Sequence, residues 1–168
     1  MIAFTYVEDL ELLKKQIECL KYLQKHKVDV GLTSKASARS RFLLSIHTRG
    51  SPIMHIPPRP IVKPALAKVS VKTAMSNKMT AACEKAWKGD LAGVKKAMEE
   101  SGKAGADGIR QYIDSQIPPP NAPITLTGGW IYNRVAKKGV LIQGKNGSTP
   151  MKDTGALYND FDYEIVEK

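Results

Sequence analysis

Cysteine, histidine and aromatic residues are scarce in this chain, and each scarcity closes a class of function. Two cysteines, Cys19 and Cys83, cannot build a disulfide framework and suit a reducing compartment. The three histidines, His26, His47 and His55, are scattered. A metal site needs clustered ligands at set spacings, and neither cysteine has a C-x-x-C partner, so no zinc site is expected. Aromatics are 7% of the residues, so stacking platforms for nucleic acid are not an obvious theme. No apolar run approaches the ~20 residues needed to cross a bilayer. The opening MIAFTYVEDLELLKK lacks the basic and then apolar stretches of a secretory signal. A membrane protein, a secreted disulfide scaffold and a coiled-coil fibre are thereby set aside.

Acidic residues are also outnumbered, 16 against 26 lysines and arginines, for a net charge of +10. The charge is polarised along the chain. Residues 28–72 carry eight cations (Lys35, Arg39, Arg41, Arg49, Arg59, Lys63, Lys68 and Lys72) against Asp29 alone. Residues 153–168 carry Asp153, Asp160, Asp162, Glu164 and Glu167 against Lys168 alone. One reading is two solvated faces. The sharper one is that the acidic tail of one subunit meets the basic segment of the next, since complementary potentials fix register and partner choice. The candidate subunit-interface residues on this reading are Arg49, Arg59, Lys63, Asp160, Asp162 and Glu164.

With 168 residues, 42% of them apolar, the chain is long enough for one domain with its own core. Leu10, Leu13, Ile17 and Leu20 recur at helical spacing, with Leu12 and Leu23 widening the stripe, and predict a core-facing helix over 8–26. Val28, Val30 and Leu32 alternate with polar or small residues as a short strand. The stretch TSKASARS reads as a loop, and Phe42–Ile46 is too short to type. Five prolines between Gly50 and Pro64 make that segment extended. Met75, Met79, Cys83, Trp87, Leu91, Val94 and Met98 then run at helical spacing through a region of about 65–100. Gly89-Asp90 interrupts it, with Asp90 as the N-cap of a second helix. Gly102, Gly105 and Gly108 are expected to loosen the next turn. Ile109, Ile113 and Ile117 lead to Pro118-Pro119-Pro120, which stops any helix. Val140–Ile142 and Phe161–Val166 read as strands. The order predicts an α+β fold: an N-terminal helix and a long central helical region on a small, mainly antiparallel sheet. It is read as a single domain, 1–168, with extended loops at about 33–64 and 118–153.

Several motifs invite a catalytic reading and fail on context. Gly139–Asn146 nearly spells a Walker A loop, but Asn146 stands where Ser or Thr must bind Mg²⁺, and the strand lies between the glycines instead of before them. Asp153-Thr154-Gly155-Ala156 matches the aspartic-protease motif, whose chemistry needs two carboxylates sharing a proton. No hydrophobic strand precedes it and only 13 residues follow Gly155. Asp153 as the cap of a helical turn is the better account. No G-x-S-x-G elbow supports a nucleophilic triad. Pro57-Pro58-Arg59-Pro60 reads as a rigid strut that places Arg59.

Three segments in order carry a resemblance. His47-Thr-Arg-Gly50-Ser-Pro52 and Ile56-Pro57-Pro58-Arg59-Pro60-Ile61 precede a long helix. Ile117-Pro118-Pro119-Pro120-Asn121-Ala122-Pro123-Ile124-Thr125 closes a helix. Pro150-Met-Lys-Asp153-Thr154-Gly155-Ala-Leu157 precedes a strand with Tyr163. Together, over about residues 8–166, they resemble the virion-morphogenesis and tail-completion proteins of tailed bacteriophages, small neck proteins that cap the tail or join it to the head. Thr48-Arg49 stands here for that family's acidic-aromatic pair, and Ile61 for an aromatic. The resemblance implies a structural subunit and no enzyme, with no cofactor and no metal. Its partners would be further copies of itself in a hexameric ring, a tail-tube protein or head-side connectors, and transiently genomic DNA, with no membrane. The place implied is the virion neck or tail, after assembly in the bacterial cytoplasm. Two other classes stay open: a basic nucleic-acid-binding module, and an aspartic protease using Asp153.

Overall fold

The computed structural model describes residues 2–52, 56–133, 136–145, 149–152 and 154–168, with side chains from Leu10 onward. The fold is α+β: seven helices and two small antiparallel sheets among the described residues. In order these are α1 (Ile2–Lys25), β1 (His26–Leu32), α2 (Ala38–Arg49), α3 (Val62–Ala67), α4 (Val69–Trp87) and α5 (Leu91–Asp114). There follow α6 (Pro123–Thr127), β2 (Gly129–Asn133), β3 (Lys138–Ile142), α7 (Ala156–Asn159) and β4 (Phe161–Glu167). The span read as one domain is organised as two compact units, residues 1–36, 62–109 and 161–168 in the first and 37–61 and 110–160 in the second.

In the first unit, the strand expected from Val28, Val30 and Leu32 pairs antiparallel with the expected C-terminal strand, Val30 opposite Tyr163 and Leu32 opposite Phe161. A core of small side chains lies beside this pair: Cys19, Ala82, Ala86, Val94, Ala97 and Met98 are all buried. Helix α5 owes its start to Asp90, whose Oδ1 accepts the Gly93 N–H at 2.8 Å, so the expected cap is present.

Two expectations differ from the observed packing. Gly102, Gly105 and Gly108 do not loosen a turn; they lie inside the continuous α5. Their use is close approach, for a Cβ at Gly102 would sit 2.4 Å from the Tyr163 ring and one at Gly108 2.6 Å from Val71. The Met75-Met79-Cys83-Trp87 residues, read from their spacing as helical, lie on α4 and turn gradually towards solvent. A step of four residues turns the helix by about 400°, so each successive residue drifts about 40°, and Cys83 and Trp87 end exposed while Ala82 and Ala86 take the buried positions. The Leu10-Leu13-Ile17-Leu20 stripe does not face the core either. Among the described side chains of α1 the buried one is Cys19, with Tyr22 and Leu23 packed on the same cluster, and the stripe points to solvent.

In the second unit, the loop expected at 33–64 is a helix over its middle, because Ser37 caps α2 by accepting the Ser40 N–H at 3.1 Å. Gly50 ends that helix at φ 72°, and a Cβ there would lie 2.7 Å from the Ile56 carbonyl oxygen, so only glycine fits. The stretch 118–153 likewise holds α6 and an antiparallel ribbon, with Trp130 opposite Leu141 and Tyr132 opposite Gly139. Strand β3 lies between Gly139's neighbour and Gly144, which agrees with the rejection of a phosphate loop; Asn146 lies outside the described residues.

Candidate interaction surfaces

The charged residues proposed for a subunit interface divide by how they are engaged. Arg59 is 5% exposed. Its Nε donates to the Pro119 carbonyl at 2.8 Å and its Nη2 to the Pro120 carbonyl at 2.9 Å. A run of prolines offers carbonyls but no N–H donors, and the guanidinium fork supplies two donors at a fixed separation. Arg59 therefore holds the two proline-rich segments of the second unit together and is buried within its own unit. The strut reading stands in a changed form: the strut positions an internal clamp.

Asp160 is engaged within its own unit. The Ser37 N–H and hydroxyl donate to its Oδ2 at 3.1 and 2.9 Å. The Ser40 hydroxyl first, then the Ser37 N–H and hydroxyl, hold the Asp160 carboxyl below its usual range. In the first unit, Glu164 lies opposite Asp29, an unfavourable pairing of like charges. It is relieved on both sides, by Lys27 at 2.9 Å from Asp29 and by the Ser34 hydroxyl at 2.7 Å from Glu164. Asp162, opposite Gly31, is half-buried; Arg49 and Lys63 are exposed. The acidic strand is thus partly committed to its own chain, and Arg49, Lys63 and Asp162 keep the character of surface charges.

A cavity of about 350 Å³ in the second unit is lined by Arg39, Leu43, His47, Thr125, Lys145 and Leu157, among others. His47 Nδ1 is buried there without a hydrogen-bond partner. Burial, then the Arg59 and Lys145 charges, push the imidazole below its ordinary value, so it is held neutral. Lys145 is engaged with the Thr149 carbonyl. Beside the cavity, Tyr158 donates to Asp114 at 2.8 Å and Lys152 lies 3.1 Å from the same carboxylate. Asp153, the residue of both the protease reading and the capping reading, lies outside the described residues. The N-cap position of α7 is held by Gly155, with no side-chain cap. Among the described residues no group of three or more His, Cys, Asp or Glu is placed to hold a metal ion. No helix among them is long and apolar enough to cross a membrane.

The larger surfaces are apolar and carry none of the charges considered above. On α1, Leu10, Leu13, Ile17 and Leu20 are each 43–53% exposed. On the ribbon, Trp130 is 72%, Tyr132 66% and Leu141 54% exposed. Trp130 and Tyr132 share a face by the two-residue period, and Leu141 joins them as the cross-strand partner of Trp130. So the few aromatics include an exposed pair after all. The signal was in the sequence: Trp130-Ile131-Tyr132 is an apolar run directly after two glycines, and alternation would put two aromatics together. The α1 stripe has spacings of 3, 4 and 3, and Leu12, 43% exposed, adds a fifth bare aliphatic side chain to this helix. No known protein family, curated protein or solved structure matches the chain.

Proposed function

We propose that this chain is a structural subunit of a neck or tail-completion ring of a tailed phage or prophage, ending the tail or joining it to the head. The observation that carries the reading is the bare aromatic face of the β2–β3 ribbon, Trp130, Tyr132 and Leu141. A two-stranded ribbon has little stability of its own, and aromatic side chains left in water are what the centres of protein interfaces contain. A ring closes through heterologous contacts, in which such a face inserts into a different surface of the next copy. The ordered motifs around Arg59, Pro118–Pro120 and Thr154–Leu157 add the resemblance to phage neck proteins.

The test is imaging of the purified protein by negative-stain microscopy, alone and with tail tubes, for the wild type and for Trp130→Ser with Tyr132→Ser. Closed rings in the wild type that are lost in the double variant, with unchanged circular dichroism, support the reading. Rings that persist in the variant contradict the role of the ribbon. A second reading has its own observation, because Lys137 and Lys138 sit at the ribbon's turn end beside the aromatic pair. Aromatics with flanking lysines are also what single-stranded nucleic acid stacks upon. A gel-shift series in rising salt separates the two, since nucleic-acid binding weakens steeply with salt and ring closure by apolar contacts does not.

A further inference from the structure

We infer that the cavity of the second unit binds a small organic anion, a carboxylate head on a short apolar body. His47 marks the head end. Its Nδ1 is buried with no hydrogen-bond partner, and a buried polar atom left that way costs stability. Two cations act on this ring, for Arg59 and Lys145 both disfavour its protonation, so the field at the open nitrogen is positive. Arg59 is fixed on its two proline carbonyls and supplies field alone. Lys145 is half-buried and lines the cavity. Among the described lining residues there is no Asp or Glu. Asp114, in the same unit, is bonded to Lys152 and Tyr158 and is not one of them. A water would satisfy the nitrogen but would leave the positive field unanswered. A carboxylate oxygen does both, accepting from Nδ1 when the neutral ring carries its proton there.

The rest of the lining says what the head is attached to. Helix α2 gives the cavity Arg39, Leu43 and His47, at intervals of four residues. Eight residues advance the helix by about 12 Å and turn it by about 800°, so the first and last lie within about 80° of each other and form one row. Leu43 stands between the two bases, and Ile142, Met151 and Leu157 add apolar lining. A mostly apolar wall with a few placed polar groups is the make-up of small-molecule sites. The volume of about 350 Å³ is at the lower end for such sites, which suits a chain of a few carbons. Lys145 is the one cation of the described lining known to act on His47, and a single carboxylate charge matches it. Arg39, exposed at the other end of the row, adds positive potential that draws anions in. The inference does not depend on the ring reading, which rests on the exposed face of the ribbon.

The test titrates the whole chain with hexanoate, hexanol and acetate, followed by the side-chain NMR signals of His47. Hexanoate should saturate with a dissociation constant of about 1 mM or tighter and shift the ring. Hexanol lacks the charge and acetate lacks the apolar body, so each should bind at least about tenfold more weakly. His47→Leu removes both ring nitrogens and should weaken hexanoate binding at least about tenfold, read by calorimetry. His47→Asn, whose amide nitrogen stands near the place of Nδ1, should keep most of it. Lys145→Met should weaken hexanoate and not hexanol, and Lys63→Met, outside the cavity, should change neither. The comparison of three probes on the wild type decides even where a variant unfolds. Hexanoate that fails to saturate by about 10 mM, or that leaves the His47 signals unmoved, overturns the inference. Hexanol or acetate binding as tightly as hexanoate, or a folded His47→Leu protein binding it as well as the wild type, overturns it too.

Discussion

Helices α1 and α5 are each 24 residues long, yet α5 buries its large apolar side chains and α1 leaves its own exposed. Helix α5 buries Gly102, Gly105 and Gly108 with Val94, Met98 and Ile109, and α1 buries Cys19 while leaving Leu10, Leu12, Leu13, Ile17 and Leu20 exposed. Counting apolar residues per face predicts the buried face of α5, with Val94, Met98, Ile109 and Ile113, but not that of α1. What decides is distance. The α5 face lies close enough to Tyr163 and Val71 that a single added carbon would collide. The face of α1 beside Cys19, Ala82 and Ala86 is likewise packed through small side chains. Leucines on such a face would force the elements apart, and the gap would cost more than their burial returns. The leucines that remain outside are therefore available for a partner.

The comparison breaks first at α5. Gly102→Val should cost about 3 kcal/mol in urea unfolding, at the upper end of overpacking because the obstacle is an aromatic ring on a paired strand; a neutral result would mean that the face is not closely packed. The second unit repeats the lesson with a charge. Arg59→Ala should cost about 2 kcal/mol by removing two hydrogen bonds from a charged donor, and Arg59→Lys should recover only part of that, since an ammonium cannot span both carbonyls. Lys63→Ala, at an exposed position, should stay near zero in the same assay, and equal losses would return Arg59 to the surface.

Smaller effects sharpen the contrast between the helices. Asp90→Ala should cost about 1 kcal/mol by uncapping α5, with Asp90→Asn close to neutral. Leu13→Ser with Ile17→Ser on α1 should shift the unfolding of dilute protein by under about 0.5 kcal/mol, although the same change in a core would be severe. The smallest effect concerns acid. His47 binds its proton less readily folded than unfolded. The stability linked to it is complete above its ordinary value of about 6.5 and is lost as pH falls below that. His47→Gln should flatten that part of the pH profile, measured as the midpoint of thermal unfolding between pH 7 and pH 5; an unaltered profile would remove His47 as the cause.

Element existence was largely legible in the sequence. The two strands around Val30 and Tyr163, the Gly89-Asp90 break and the cap at Asp90 all follow from local chemistry. Helix α2 was hidden because its cap, Ser37, lies inside a run of small polar residues that reads as a loop. The direction in which each face points was not legible, because periodicity finds a stripe but not what stands opposite it. Arg59 shows the same limit. Its charge marked it as outward, and only the arrival of Pro119 and Pro120, some 60 residues later in the chain, turns it inward. The candidate site suffered most, since charge is visible in a sequence and exposure is not.

The claim that links these points is that the apolar faces left exposed on the two units are contacts between copies. Its most direct test is the mass of the unmodified chain by sedimentation equilibrium across a wide concentration range, beside Leu13→Ser with Ile17→Ser. The account predicts that the wild type climbs above its monomer mass of 18.4 kDa as concentration rises, while the seam variant associates measurably less at every concentration. A wild-type protein that stays at 18.4 kDa throughout, or a seam variant that climbs just as far, would contradict it.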